Sequence, residues 1–259
     1  MQKYEVNCGE LPRILEKVEV IIFDVDGTIL KDTHIQYWKH LNFATSHYKN
    51  TTWSDDEFWN YLRRPQGYTT RQHIVASMLG QDPLEESDLV KNTMEFFYLS
   101  FCSDDQKSEL FPHVRVAISE LSRKGVSLIA FSDTEEILVR KMLSDHELNP
   151  YFEFIVGNAK KPSPMVLDET LKRLRSTARV TDENILVIGD NLCTDGALAL
   201  RAGCSFIYFT GGDEEKAEKF QSMKKTGDIP KDSIMISSHS EMIEAIDAIS
   251  EISKGCGIK

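Results

Sequence analysis

Val18-Glu19-Val20-Ile21-Ile22-Phe23-Asp24-Val25-Asp26-Gly27-Thr28 decides the architecture of this chain. Apart from Glu19, its first six positions are apolar, mostly β-branched, as a strand buried in a parallel sheet requires. Two carboxylates straddling one residue follow at once, and Gly27 then permits a sharp turn. The pair therefore lies at the carboxyl end of a buried strand, where ligands bind in open α/β sheets. Two acids this close ionise together only at high cost, unless a cation lies between them or one keeps its proton. A cation leaves one acid able to attack as a nucleophile, and a retained proton makes the other a donor.

Outward from this stretch, the same kind of strand recurs. Residues 126–131 (VSLIAF), 154–156 (FIV), 185–189 (ILVIG) and 205–209 (SFIYF) read as buried parallel strands. Between them the apolar residues take helical spacing: Val114, Ala117, Ile118 and Leu121, then 137–143, 165–174 and 195–202. Strands alternating with helices predict an α/β protein whose parallel sheet is covered on both faces. Residues 211–233 are polar and read as a surface excursion with one helix; residues 241–252 read as a last helix.

Residues 31–111 break the rhythm. They hold no convincing buried strand but many aromatics, including Trp38, Trp53 and Trp59 with Tyr37, Phe43, Tyr48, Phe58, Tyr61, Phe96, Phe97 and Tyr98. This reads as a separate helical domain, 31–111, inserted into a core of 1–30 and 112–259, with hinges near 30–33 and 108–112. The aromatics are read first as the core of a small bundle and second as a substrate pocket.

Bulk properties narrow the function classes. A length of 259 residues allows one large domain or a core with an insert. The net charge of −11 argues against a nucleic-acid or anionic-membrane partner, but not against a small anionic substrate. No apolar run approaches the ~18–20 residues of a bilayer span, and the first residues carry no secretion-signal pattern. The five cysteines (Cys8, Cys102, Cys193, Cys204, Cys256) lie far apart, without metal-ligand spacing. They read as free thiols of a cytoplasmic protein, monomer or homodimer.

Three more signals follow predicted strands: Ser132-Asp133-Thr134, Lys161-Pro162, and Gly189-Asp190-Asn191 with Asp195 shortly after. Singly, each reads as a helix cap or a turn. Together they supply what phosphoryl transfer needs: a nucleophile, a proton shuttle, a hydroxyl and a lysine for phosphate oxygens, and distal acids for a hard cation.

In this set the sequence resembles the haloacid dehalogenase superfamily, in its Mg²⁺-dependent phosphatase branch. The four motifs fall at DVDGT 24–28, Ser132 of FSDT, Lys161 of KKPSP, and Asp190 and Asp195 of GDNLCTD. Asp32-Thr33 and Leu110-Phe111-Pro112-His113-Val114 also look like this family. The resemblance implies a Rossmann-like parallel sheet core covered by helices, with a helical C1 cap inserted after the first strand. It implies Asp24 as the nucleophile that becomes an aspartyl-phosphate, and Asp26 as acid then base. Mg²⁺ is expected on Asp24, the Asp26 main-chain carbonyl and Asp190, with Asp195 holding the metal's waters or orienting Lys161. Ser132 and Lys161 are expected to bind the phosphoryl group, with Asp133 alongside and Thr28 both beside the substrate and stabilising the loop. An intact second acid points to phosphoryl chemistry, since dehalogenation at carbon needs no protonated alkoxide.

Within the insert, Arg63-Arg64-Pro65-Gln66-Gly67-Tyr68-Thr69-Thr70-Arg71 carries three arginines and no acid. It resembles the specificity loop of C1 caps, so Arg63, Arg64, Gly67 and Arg71 are candidate substrate contacts; a solvated helix end is the alternative. The expected activity is hydrolysis of a small phosphorylated metabolite. Competing readings are a phosphomutase of the β-phosphoglucomutase kind, a phosphonate hydrolase using Lys39 or Lys49 as an imine, and a non-catalytic binding module.

Overall fold

The computed structural model describes residues 10–49, 53–54, 56–57, 60, 70–85, 87–176 and 184–255. The chain forms two compact units, 1–31 with 109–259, and 32–108.

The larger unit is built on a six-stranded parallel sheet. Its strands are β1 (Val20–Phe23), β4 (Ser127–Phe131), β5 (Phe154–Val156), β6 (Ile185–Gly189), β7 (Ser205–Phe209) and β8 (Ile234–Ile236). Spatially the order is β5-β4-β1-β6-β7-β8. All four residues of β1 are buried, as a central strand with helices on both faces demands. It pairs with β4 from Val20↔Ser127 to Phe23↔Ala130, and with β6 from Val20↔Ile185 to Phe23↔Ile188.

Side chains alternate across the sheet. Val20 and Ile22 join Ile129, Phe131, Val187 and Phe206 in a core sealed by Leu167, Leu171 and Leu174 of the helix Met165–Arg175 and Leu198 of Ala197–Ala202. Ile21 and Phe23 are equally buried and point to the opposite face. The helix His239–Gly255 packs against Val114–Arg123 and Glu10–Lys17. From β1 the chain moves outward to β4 and β5, then crosses back to β6 on the other side of β1. The crevice at the carboxyl ends of these strands is the switch point at which such sheets bind ligands.

Two features differ from expectation. Strand β8 has no counterpart among the predicted strands: it follows directly on the polar stretch 211–233, and its three residues become a strand by pairing with β7 at Ile207↔Ile234. The ends of the insert also differ. Leu30–Lys31 (β2) and Glu109–Leu110 (β3) pair antiparallel and belong to the larger unit, so the insert's limits are 32 and 108 rather than 31 and 111.

The smaller unit contains the helices Thr33–Lys49, Arg71–Leu79 and Asp88–Ser103. Tyr37, Trp38, Phe97 and Phe101 fill its core, with the Tyr37 and Phe101 rings stacked 5.5 Å apart. Phe43 and Tyr48 instead lie at the surface, beside Phe96 and His47. Phe58, Trp59 and Tyr61 lie outside the described residues.

Candidate active site

Each central strand delivers one polar group at its tip. Asp24 follows β1, and its N–H donates to the Ile188 carbonyl of β6 at 2.8 Å, so the loop leaves in register with its neighbour. Ser132 follows β4, and Asp190 follows β6. Two glycines let the acids approach the backbone. Gly27 has φ 84°, and a Cβ there would stand 2.6–2.9 Å from the carboxylate atoms of Asp190. A Cβ on Gly189 would overlap the Asp195 carboxylate.

Lys161 lies at the centre of this group. Its Nζ donates to Asp24 Oδ1 at 2.6 Å and to Asp195 Oδ1 at 2.5 Å, with all three side chains nearly inaccessible. Asp195 is held in turn by the Asn191 N–H on Oδ2 at 3.1 Å. Burial would lower the Lys161 pKa, but attraction to Asp195 and Asp24 outweighs it, so the ammonium is held above the usual lysine range. Burial pushes the Asp24 carboxyl well up; Lys161 opposes this, while Asp195, Asp190 and Asp26 add to it. Asp195 is raised by burial and relieved by Lys161. Asp24 and Asp195, both buried, thus share one ammonium, which balances only one of the two charges they would carry ionised.

Asp26 faces a different set. Its Oδ2 accepts from Ser132 Oγ and from Thr134 Oγ1, each at 2.9 Å, while the Thr134 N–H donates to Ser132 Oγ at 3.0 Å. Two hydroxyls thus fix the orientation of a half-buried carboxylate. Asp133, expected beside the substrate, accepts the Lys161 N–H on Oδ1 at 2.8 Å and anchors the lysine's loop. Thr28, expected to stabilise the loop and to lie beside the substrate, lies within the loop itself. Its side chain is 0 % exposed, with Oγ1 donating to Asp24 Oδ2 at 3.3 Å, so it orients the acid.

Asp24, Asp190 and Asp195 each offer a carboxylate oxygen, and these oxygens lie within 4.8 Å of one another. A compact set of hard, anionic oxygens short of positive charge suits Mg²⁺. The Asp26 carboxylate is not among the three, because it turns to Ser132 and Thr134; only its main-chain carbonyl is left for the ligand role expected of it.

Sequence reasoning misses three residues here. Thr134 reads in the sequence only as a helix cap. Lys216, from the helix Glu214–Thr226, reaches Asp190 Oδ2 with Nζ at 3.0 Å, although its segment reads as a surface excursion. His239 donates from Nε2 to the Thr28 carbonyl at 2.8 Å. Of the insert residues, Arg63, Arg64 and Gly67 lie outside the described residues. Arg71 places its guanidinium 3.9 Å from the Tyr37 ring centroid, within the smaller unit. Lys39 and Lys49, the imine candidates, both make hydrogen bonds within the smaller unit. Lys39 Nζ donates to Asp104 at 3.0 Å and Gln106 at 2.9 Å, and Lys49 Nζ to the Leu79 carbonyl at 2.8 Å.

This core with acids at its strand tips defines a class. Residues 21–209 match the haloacid dehalogenase-like hydrolase family, and the chain belongs to that family, in its phosphatase branch. It is similar to the phosphoglycolate phosphatase of Vibrio parahaemolyticus, 24 % identical over 201 residues, which cover 76 % of this chain and 86 % of the relative. Its fold is similar to that of CbbY from Rhodobacter sphaeroides in complex with phosphate (TM-score 0.61, 22 % identity, 89 % of this chain and 99 % of that one). It is also similar to the HAD-hydrolase YfnB from Bacillus subtilis bound to magnesium (TM-score 0.57, 19 % identity, 89 % and 99 %). No described helix is long and apolar enough to cross a membrane.

Proposed function

We propose that the protein is a Mg²⁺-dependent phosphatase that hydrolyses a small phosphorylated metabolite through an aspartyl-phosphate on Asp24. The observation that carries this reading is the convergence of Lys161 on Asp24 and Asp195, with Asp190 close by. Asp24, Asp190, Asp195 and the Asp26 main-chain carbonyl would hold Mg²⁺, which supplies positive charge for the developing phosphoryl oxygens and keeps Asp24 ionised.

Asp24 attacks phosphorus as the leaving oxygen departs in line. Asp26, its carboxylate oriented by Ser132 and Thr134, gives that oxygen a proton. In the second half Asp26 takes a proton from water, which attacks the aspartyl-phosphate and releases orthophosphate. Lys161 keeps its proton throughout and stabilises charge on the equatorial oxygens, the main source of acceleration in phosphoryl transfer. The similarity to phosphoglycolate phosphatases makes a small phosphorylated carboxylic acid such as phosphoglycolate the first substrate to try.

The test is a panel of phosphate esters with and without Mg²⁺, run beside Asp24→Asn and Asp26→Asn. Turnover should vanish in both variants and under chelation. Full turnover by Asp24→Asn would remove the nucleophile from the mechanism. Transfer of the phosphoryl group to a second hydroxyl of a sugar phosphate, in place of release to water, would move the protein to the phosphomutases.

A further inference from the structure

The Asp24-to-Thr28 loop turns back on itself and uses most of its own backbone groups. The N–H groups of Ile29 and Leu30 donate to the Val25 carbonyl at 3.0 Å, Gly27 N–H donates to Leu30 at 2.8 Å, and Phe111 N–H donates to Ile29 at 3.0 Å. The Thr28 carbonyl is met from elsewhere, by the ring of His239. A carbonyl only accepts, so the ring must be the tautomer with its hydrogen on Nε2. His239 is 0 % exposed, and its Nδ1 is buried without a hydrogen-bond partner.

Two features hold this ring in place. It stacks on Phe209 at the end of β7, centroids 4.4 Å apart and planes 21° apart, and Phe209 in turn meets the edge of Phe111. The helix it opens is locked by a capping arrangement, in which Glu241 Oε1 accepts from Ser237 N–H, Ser237 Oγ and Ser238 N–H at 2.7, 2.8 and 3.1 Å. Thr28 passes the constraint on, since its Oγ1 donates to the Asp24 carboxylate at 3.3 Å.

We infer that His239 is a positioning residue for the nucleophile, acting from the last helix through Thr28 on Asp24. Its ring need not touch substrate. By holding the Thr28 carbonyl it fixes the rotation of the Thr28 peptide, and with it the hydroxyl that restrains one oxygen of Asp24. The other oxygen is held by Lys161. The attacking group is therefore aimed from two sides, by Lys161 on one oxygen and, on the other, by Thr28 held from the buried ring of His239. This rests on Asp24 being the nucleophile.

The experiment compares His239→Phe, which keeps the aromatic stack and removes the donor, with His239→Gln, which restores an amide N–H near the position of Nε2. Both are assayed with p-nitrophenyl phosphate and Mg²⁺ at a temperature where circular dichroism shows each fully folded. His239→Phe should lose about 10- to 100-fold in kcat with KM within about twofold, as expected when a reacting group is misaimed while substrate binding stays intact. His239→Gln should recover to within about fivefold of the parent. A second readout needs no turnover: the ¹³C resonance of the Asp24 side-chain carboxyl should shift in His239→Phe and return in His239→Gln. An unchanged kcat in folded His239→Phe, or an Asp24 resonance that does not move, overturns the inference. If the parent protein hydrolyses no ester, the proposed function fails, and the carboxyl resonance alone decides the role of His239.

Discussion

Replacing Gly27 by alanine separates backbone strain from damage to the site. Gly27 has φ 84°, so an L-residue there pays about 1–2 kcal/mol for the left-handed conformation. Gly125 and Gly227 have φ 83° and 82°, but a Cβ on either meets nothing within 4 Å. Gly125→Ala and Gly227→Ala therefore carry the backbone cost alone. At Gly27 the new methyl would stand 2.6 Å from Asp190 Oδ2, 2.7 Å from Cγ and 2.9 Å from Oδ1. The carboxylate would have to retreat by about 0.5–0.8 Å to reach ordinary contact. Asp190 is one of the three clustered acids, and misplacement on this scale costs about 10- to 100-fold in turnover. Urea denaturation of the three variants, with Mg²⁺-dependent hydrolysis of p-nitrophenyl phosphate, provides the measurement. Similar stability losses are expected in the two controls, which keep full turnover. A larger stability loss, lower kcat and weaker Mg²⁺ half-saturation are expected in Gly27→Ala. If Gly27→Ala matched Gly125→Ala in stability, turnover and Mg²⁺ response, the close approach of Asp190 to the loop would be wrong.

Other perturbations probe the charges and the buried histidine. Lys161→Met removes the only cation bonded to Asp24 and Asp195 among the described residues; it should abolish turnover and lower the unfolding free energy at pH 7 by about 3–5 kcal/mol, and less as the pH is lowered, because burial favours the protonated Asp24 carboxyl. Lys216→Met frees Asp190 from a competing cation; titration calorimetry should show Mg²⁺ binding about fivefold tighter, a gain that shrinks in high salt. The pKa of His239 is pushed down to about 4, chiefly by burial, against about 6.5 in the unfolded chain. Between these values the unfolded state binds more protons, so the contribution is complete above about pH 6.5 and is lost as pH falls toward 4, by roughly 3 kcal/mol. Urea midpoints of the parent protein should fall across that window, and the slope should flatten in His239→Phe; equal slopes would show that the ring does not titrate there.

Much of this was legible in the chain because it is local. Val20–Phe23 declares a buried strand by its composition, and Asp24, Asp26 and Gly27 follow within a few residues. Ser132, Lys161 and Asp190 each follow a strand of their own, so their common end of the sheet follows from topology. Other parts of the site have no local mark. Thr134, Lys216 and His239 bond to Asp26, Asp190 and Thr28 across 108, 26 and 211 positions. A threonine after a strand, a lysine in a polar helix and a histidine after Ser237-Ser238 each look ordinary in sequence.

The residue types at the strand tips, and the sheet that carries them, were thus written in the order of amino acids, because burial periodicity and turn chemistry act over a few residues. Which groups face one another was settled only by packing. A hydrogen bond or a Coulomb interaction depends on distances of a few ångströms, and those distances exist only once β1, β4, β6 and the last helix lie side by side. Thr28 shows the difference: its motif position marks it as part of the loop, but only the folded structure shows its hydroxyl on Asp24 and its carbonyl on His239.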